Sequence, residues 1–64
     1  MDKEKKFIGK ILDVDVSIEE IKNEFNVENI RILNYTIPIE FDIDWNRLNI
    51  IINENKTIIS LNFG

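Results

Sequence analysis

Thr36-Ile37-Pro38-Ile39-Glu40-Phe41-Asp42-Ile43-Asp44-Trp45-Asn46-Arg47 is the stretch on which the fold turns, because two architectures read it differently. By periodicity, Ile37, Ile39, Phe41, Ile43 and Trp45 alternate with polar or proline positions, the template of a strand with one buried face, and Pro38 confines such a strand to a sheet edge. As a connection, the same residues are an extended, proline-stiffened segment offered to a partner, since a chain lying in another protein's cleft also needs alternating side-chain directions. The alternating parity breaks at Arg47-Leu48, so the segment does not run straight into the strand that follows. Irregular connections of this length are uncommon in compact domains unless they carry function.

On either side the pattern is plainer. Ile30-Arg31-Ile32-Leu33 reads as a short strand, Leu48, Ile50 and Ile52 alternate with Asn49 and Asn53 as a second, and Thr57 to Phe63 makes a third. Asn53-Glu54-Asn55-Lys56 is turn chemistry, because asparagine tolerates left-handed backbone angles and bonds its own main chain. Further upstream, Ser17-Ile18-Glu19-Glu20 places a hydroxyl at an N-cap with a glutamate three residues later, and Val16 with Ile21 makes a hydrophobic staple. Ile18, Ile21 and Phe25 share one helical stripe, Glu19 and Glu20 sit at the positive end of the dipole, and Asn26 offers a left-handed exit. The spacing predicts a helix over about 18–25.

A chain of 64 residues holds one domain with one small core. Its 44% apolar and 31% charged composition is that of a soluble globular domain. Without cysteine there is no disulfide staple, which leaves the compartment open: either the chain is made for the cytosol or a leader has been removed. A net charge of −4 repels phosphate backbones and argues against nucleic acid, and no apolar run approaches a membrane span. Residues 1–6 are charged after the initiator and read as a flexible, solvated tail, with the single domain over 7–64.

The segment together with Leu48-Asn49-Ile50-Ile51-Ile52-Asn53, Ile8-Gly9-Lys10 and Gly64 resembles the potato inhibitor I family, the eglin-type inhibitors of serine proteases. In that family a wide exposed loop joining two parallel strands carries a proline, an apolar residue, a threonine, the primary specificity residue, an acid, and then an aromatic, an asparagine and an arginine. Pro38, Ile39, Phe41, Asp42, Trp45, Asn46 and Arg47 fall at those places. The resemblance implies an α+β fold, one helix packed on a small mixed sheet, with a long exposed reactive loop between two parallel strands. It implies a serine protease as partner, chymotrypsin-like or subtilisin-like, with no cofactor and a monomer when free. The loop would be Pro38, Ile39, Glu40, Phe41, Asp42, Ile43, Asp44 and Trp45, with Phe41-Asp42 as the scissile bond, and its support Arg47, Asn49 and Gly64.

Arg47 and Asn49 lie two apart, hence on one strand face, opposite to Leu48, Ile50 and Ile52. A guanidinium there can pair with Asp42 and Glu40, although an arginine near two acids is ordinarily a weak surface ion pair. Two departures from the family pattern stand out. Asn49 occupies the place of a second arginine, and Glu40 that of a common threonine, which puts a carboxylate near a protease's catalytic histidine.

Other signals are weaker. Asp13-Val14-Asp15 and Asp42-Ile43-Asp44 offer paired carboxylates but no further ligand, so solvated acids are the better reading than a metal site. Asn34-Tyr35-Thr36 and Asn55-Lys56-Thr57 fit the glycosylation sequon, which matters only in a secreted chain. Trp45 suits a contact on the leaving-group side or a buried or half-buried aromatic. With no histidine or cysteine, and no base beside Ser17 or Ser60, enzymatic catalysis has no candidate machinery. The rival reading is a non-inhibitory interaction module that uses the same extended segment to bind a partner.

Overall fold

The computed structural model of the chain describes residues 3–36 and 44–64. These form α1 (Glu4–Phe7), α2 (Ile18–Phe25), β1 (Asn29–Asn34), β2 (Arg47–Ile52) and β3 (Ile58–Phe63). β2 is the central strand, parallel to β1 and antiparallel to β3. The sheet is therefore mixed and the class α+β, as the sequence and its resemblance imply.

α2 begins and ends where its residues dictate. Ser17 Oγ accepts from Glu20 N at 3.2 Å, meeting one of the amides a helix start leaves without an intrahelical partner. Asn26 takes a left-handed conformation at φ 53°, and Val27 N then donates to Lys22 O at 3.2 Å. The stripe facing the sheet centres on Ile21, which is fully buried, with Ile18 and Phe25 packed against the same core. That core comprises Phe7, Leu12, Val16, Ile21, Leu48, Ile50, Ile58 and Leu61, each large aliphatic or aromatic side chain contributing about 1.5–3 kcal/mol when buried.

The amino-terminal stretch that composition assigns to a solvated tail contains the helical turn α1. Lys3, Lys5 and Lys6 are exposed, but Phe7 is buried in the core and stacks at 6.0 Å against Phe25, which meets Phe63 edge-on at 6.1 Å. Lys6 Nζ reaches Glu24 Oε1 at 3.0 Å and Lys3 Nζ reaches Glu24 O at 3.1 Å, so one aromatic and two ammonium groups fold the stretch onto α2. The hydrogen bond and charge of Lys6, with a smaller contribution from Lys3, hold the Glu24 carboxyl below its ordinary range of about 4.5. Gly9 then turns the chain at φ 90°, a conformation costly for any residue with a Cβ, and Gly9 N donates to Ile58 O at 2.8 Å.

The β2–β3 turn follows its asparagines in part. Asn53 Oδ1 accepts from Asn55 N at 2.9 Å and from Thr57 N at 3.0 Å, whereas the left-handed residue is Lys56, at φ 64°. The acids of Asp13-Val14-Asp15 are likewise structural: Asp15 Oδ2 accepts from Ile11 N at 3.0 Å and Asp13 lies 3.5 Å from Lys56 Nζ.

The parallel register fixes where the site stands. Asn29 pairs with Arg47 and Asn34 with Ile52, so the chain leaves β1 at one end of the sheet and enters β2 at the other. A six-residue strand is about 20 Å long. Residues 35–46 must return that distance, and a parallel pair always requires such a crossover. Both described ends of the crossover are turns, not strand. Asn34 Oδ1 accepts from Thr36 N and Thr36 Oγ1 at 3.0 and 2.9 Å; Asp44 Oδ1 accepts from Asn46 N at 2.9 Å, and Asp44 O from Arg47 N at 3.0 Å. Residues 37–43, which decide between edge strand and loop, lie outside the described residues.

Candidate functional site: a polar row across the sheet

Strand alternation sends Leu48 and Ile50 into the core and Arg47 and Asn49 to the other face. Register then sets Arg31 of β1 on one side of Asn49 and Asn62 of β3 on the other, a single polar row across all three strands. Flanked in this way, Asn49 is 4% exposed, and a buried carboxamide is tolerable only if its donors and acceptor are met.

They are met. Asn49 Oδ1 accepts from Arg31 Nε at 3.2 Å, while Nδ2 donates to Gly64 O at 2.7 Å and to Asn62 Oδ1 at 3.2 Å. The same Gly64 oxygen accepts from Arg47 Nε and Nη2 at 3.3 and 3.2 Å, and Gly64 N donates back to Arg47 O at 3.2 Å. Reversing the carboxamide would turn Oδ1 toward two acceptor oxygens and Nδ2 toward a cation, so the partners select one orientation. Among the described residues no buried side-chain polar atom lacks a partner.

Arg47, Asn49 and Gly64, which the resemblance groups as loop support, are thus brought together at the foot of the crossover. The residues they would support, Pro38, Ile39, Glu40, Phe41, Asp42 and Ile43, lie outside the described residues, and so does any pairing of Arg47 with Asp42 or Glu40. Asp44 caps the turn into β2 through the bonds given above. Trp45 is 73% exposed, which removes the buried and half-buried alternatives for it. Its ring stands beside an open groove of about 560 Å³ lined by Phe25, Val27, Asn29 and Phe63.

Two members of the row, Arg31 and Asn62, are not singled out by sequence reasoning. Each looks like an ordinary polar position on a strand, and each joins the cluster only through pairing partners 18 and 13 residues away. Chemically the row is a clamp: it ties the middle strand to the end of β3 with charge-assisted bonds at the point where the crossover arrives.

The fold is similar to that of the elastase inhibitor AFUEI in one of its crystal forms, with a TM-score of 0.70 and 28% identity over 95% of this chain and 82% of that one. No protein-family model and no curated protein matches the sequence.

Proposed function

We propose that the protein is a protease inhibitor, and more finely a substrate-like inhibitor of the potato inhibitor I type directed at serine proteases. The observation that carries the reading is the clamp itself: Arg47, Asn49 and Gly64 meet in the part of a fold, similar to that of an elastase inhibitor, where a crossover between parallel strands needs rigid ends.

The mechanism follows from rigidity. The connection presents Phe41 to the specificity pocket of a chymotrypsin-like or subtilisin-like enzyme, and the enzyme's nucleophile attacks the Phe41-Asp42 carbonyl. If both ends of the cut connection stay fixed, the new amine of Asp42 remains beside the acyl-enzyme, and religation competes with water. Burying Phe41 is worth about 1.5–3 kcal/mol, too little for tight binding. The rest comes from side chains already held before binding, roughly 0.5–1.5 kcal/mol for each one. With no disulfide in the chain, the polar row must supply that hold.

Titration of chymotrypsin and subtilisin activity with the intact chain, with Phe41→Ala as control, tests this. Stoichiometric loss of activity with slow nicking confined to Phe41-Asp42, both weakened in the control, is the expected result. Two fully active enzymes would leave the non-inhibitory interaction module standing instead. Cleavage after Glu40 or Asp42 would move the target to an acid-specific protease.

A further inference from the structure

We infer that Arg31 is a positioning residue of this clamp, acting through Asn49; the inference rests on the inhibitor reading for its consequence but not for its geometry. A carboxamide on a strand has two orientations of nearly equal intrinsic energy, so what it donates to depends on what fixes its oxygen. In this row the oxygen is fixed from the neighbouring strand. Arg31 Nε donates to Asn49 Oδ1, which leaves both Nδ2 protons for Gly64 O and Asn62 Oδ1. Gly64 O is also an acceptor for Arg47, so Arg31, by holding Asn49, holds a second donor on an oxygen that Arg47 shares.

The residue type at 49 matters for this linkage. An arginine there has five donors and no acceptor, so it could not accept from Arg31 and would bring a further like charge between Arg31 and Arg47. Asparagine accepts from one arginine and shares an acceptor with the other. The neutral side chain at 49 and the cation at 31 therefore form one unit, spanning a register pair of the parallel strands. Among the described residues the Nη groups of Arg31 have no hydrogen-bond partner, so the bond to Asn49 is what fixes this half-buried side chain.

The test uses the full chain with Arg31→Met, which keeps an unbranched stem and removes the donor, and Arg31→Lys, which restores a cationic donor. Exchange of the Asn49 side-chain amide protons, followed by NMR in the free protein, should accelerate about tenfold or more in Arg31→Met and return most of the way in Arg31→Lys, as loss and recovery of a hydrogen bond from a charged group require. Nicking at Phe41-Asp42 by an inhibited protease should rise in the same order. Unchanged Asn49 exchange in Arg31→Met, or an Arg31→Lys variant no better than Arg31→Met, overturns the inference. A wild-type chain that inhibits no protease overturns the inhibitor reading alone, because the exchange measurement still decides what Arg31 does. Should Arg31→Met fail to fold, Arg31→Gln, shorter and uncharged, carries the same decision: faster Asn49 exchange than wild type supports the inference and exchange as slow as wild type overturns it.

Discussion

Asn49, buried in the central strand, donates from Nδ2 to the main-chain oxygen of Gly64 at 2.7 Å, and this bond ties the middle of the sheet to the residue following β3. A polar side chain in such a place costs desolvation, and the cost is offset because its donors and acceptor all meet polar partners. Replacing Asn49 by leucine, similar in size but apolar, strands Arg31 Nε and leaves Gly64 O with Arg47 as its side-chain donor. We expect a loss of about 1–3 kcal/mol, read as a lower urea midpoint with an unchanged slope. A midpoint equal to wild type would mean that water replaces Asn49 at no cost.

Arg47 shares the Gly64 acceptor and sits at the last step of the crossover. Arg47→Ala frees the arrival end of the connection without touching the core, so the chain should still fold and bind a protease as a substrate. The expected outcome is faster cleavage at Phe41-Asp42 and an inhibition that decays with time, by about tenfold if one charge-assisted contact is lost. Mass spectrometry of the protease mixture reads it. Equal inhibition with equal resistance to clipping would remove Arg47 from the mechanism.

The Lys6–Glu24 contact makes the docking of α1 sensitive to acid. Glu24 has a folded pKa below its ordinary value of 4.5, so the unfolded chain takes up the proton first as pH falls. The contact therefore contributes above the ordinary value, and its contribution is lost as pH drops through the depressed one. Glu24→Gln should lower the melting temperature slightly at neutral pH and narrow the gap between variant and wild type on acidification below about 4. Lys6 is more than half exposed and Glu24 about one-third, so the effect is small, and salt should shrink it further.

How far the sequence could be read depended on whether the information was local. Ser17, Glu20 and Asn26 bound the helix through contacts within a few residues, and the helix lies over Ile18–Phe25 as the spacing predicts. The face shared by Arg47 and Asn49 follows from strand alternation alone. Arg31 and Asn62 needed the register, since nothing within their own strands distinguishes them from solvent-facing positions. The α1 turn was hidden for a similar reason: Lys3-Glu4-Lys5-Lys6 is polar throughout, and what orders it is Phe7 stacking on Phe25, 18 residues away in sequence. At Asn53–Lys56 the sequence shows the turn but not its left-handed residue: Asn53 contributes its side chain as an acceptor, and the left-handed angle falls on Lys56.

Two left-handed residues, Lys56 and Asn26, yield a pair of substitutions with opposite signs. Lys56 holds φ 64° with a Cβ and a long side chain, a conformation that costs about 1–2 kcal/mol for most residues and less for asparagine. Lys56→Asn relieves part of that strain. It forfeits the 3.5 Å contact with Asp13, but both partners there are more than half exposed, so the contact is worth well under about 1 kcal/mol. The expected net gain is about 0.5 kcal/mol. Asn26 holds φ 53° at the end of α2 and already has the tolerant side chain, so Asn26→Ala should cost about 1 kcal/mol. Thermal melts of the two variants against wild type decide the matter: shifts in the same direction would show that side-chain contacts, not backbone angle, set the stability of these turns.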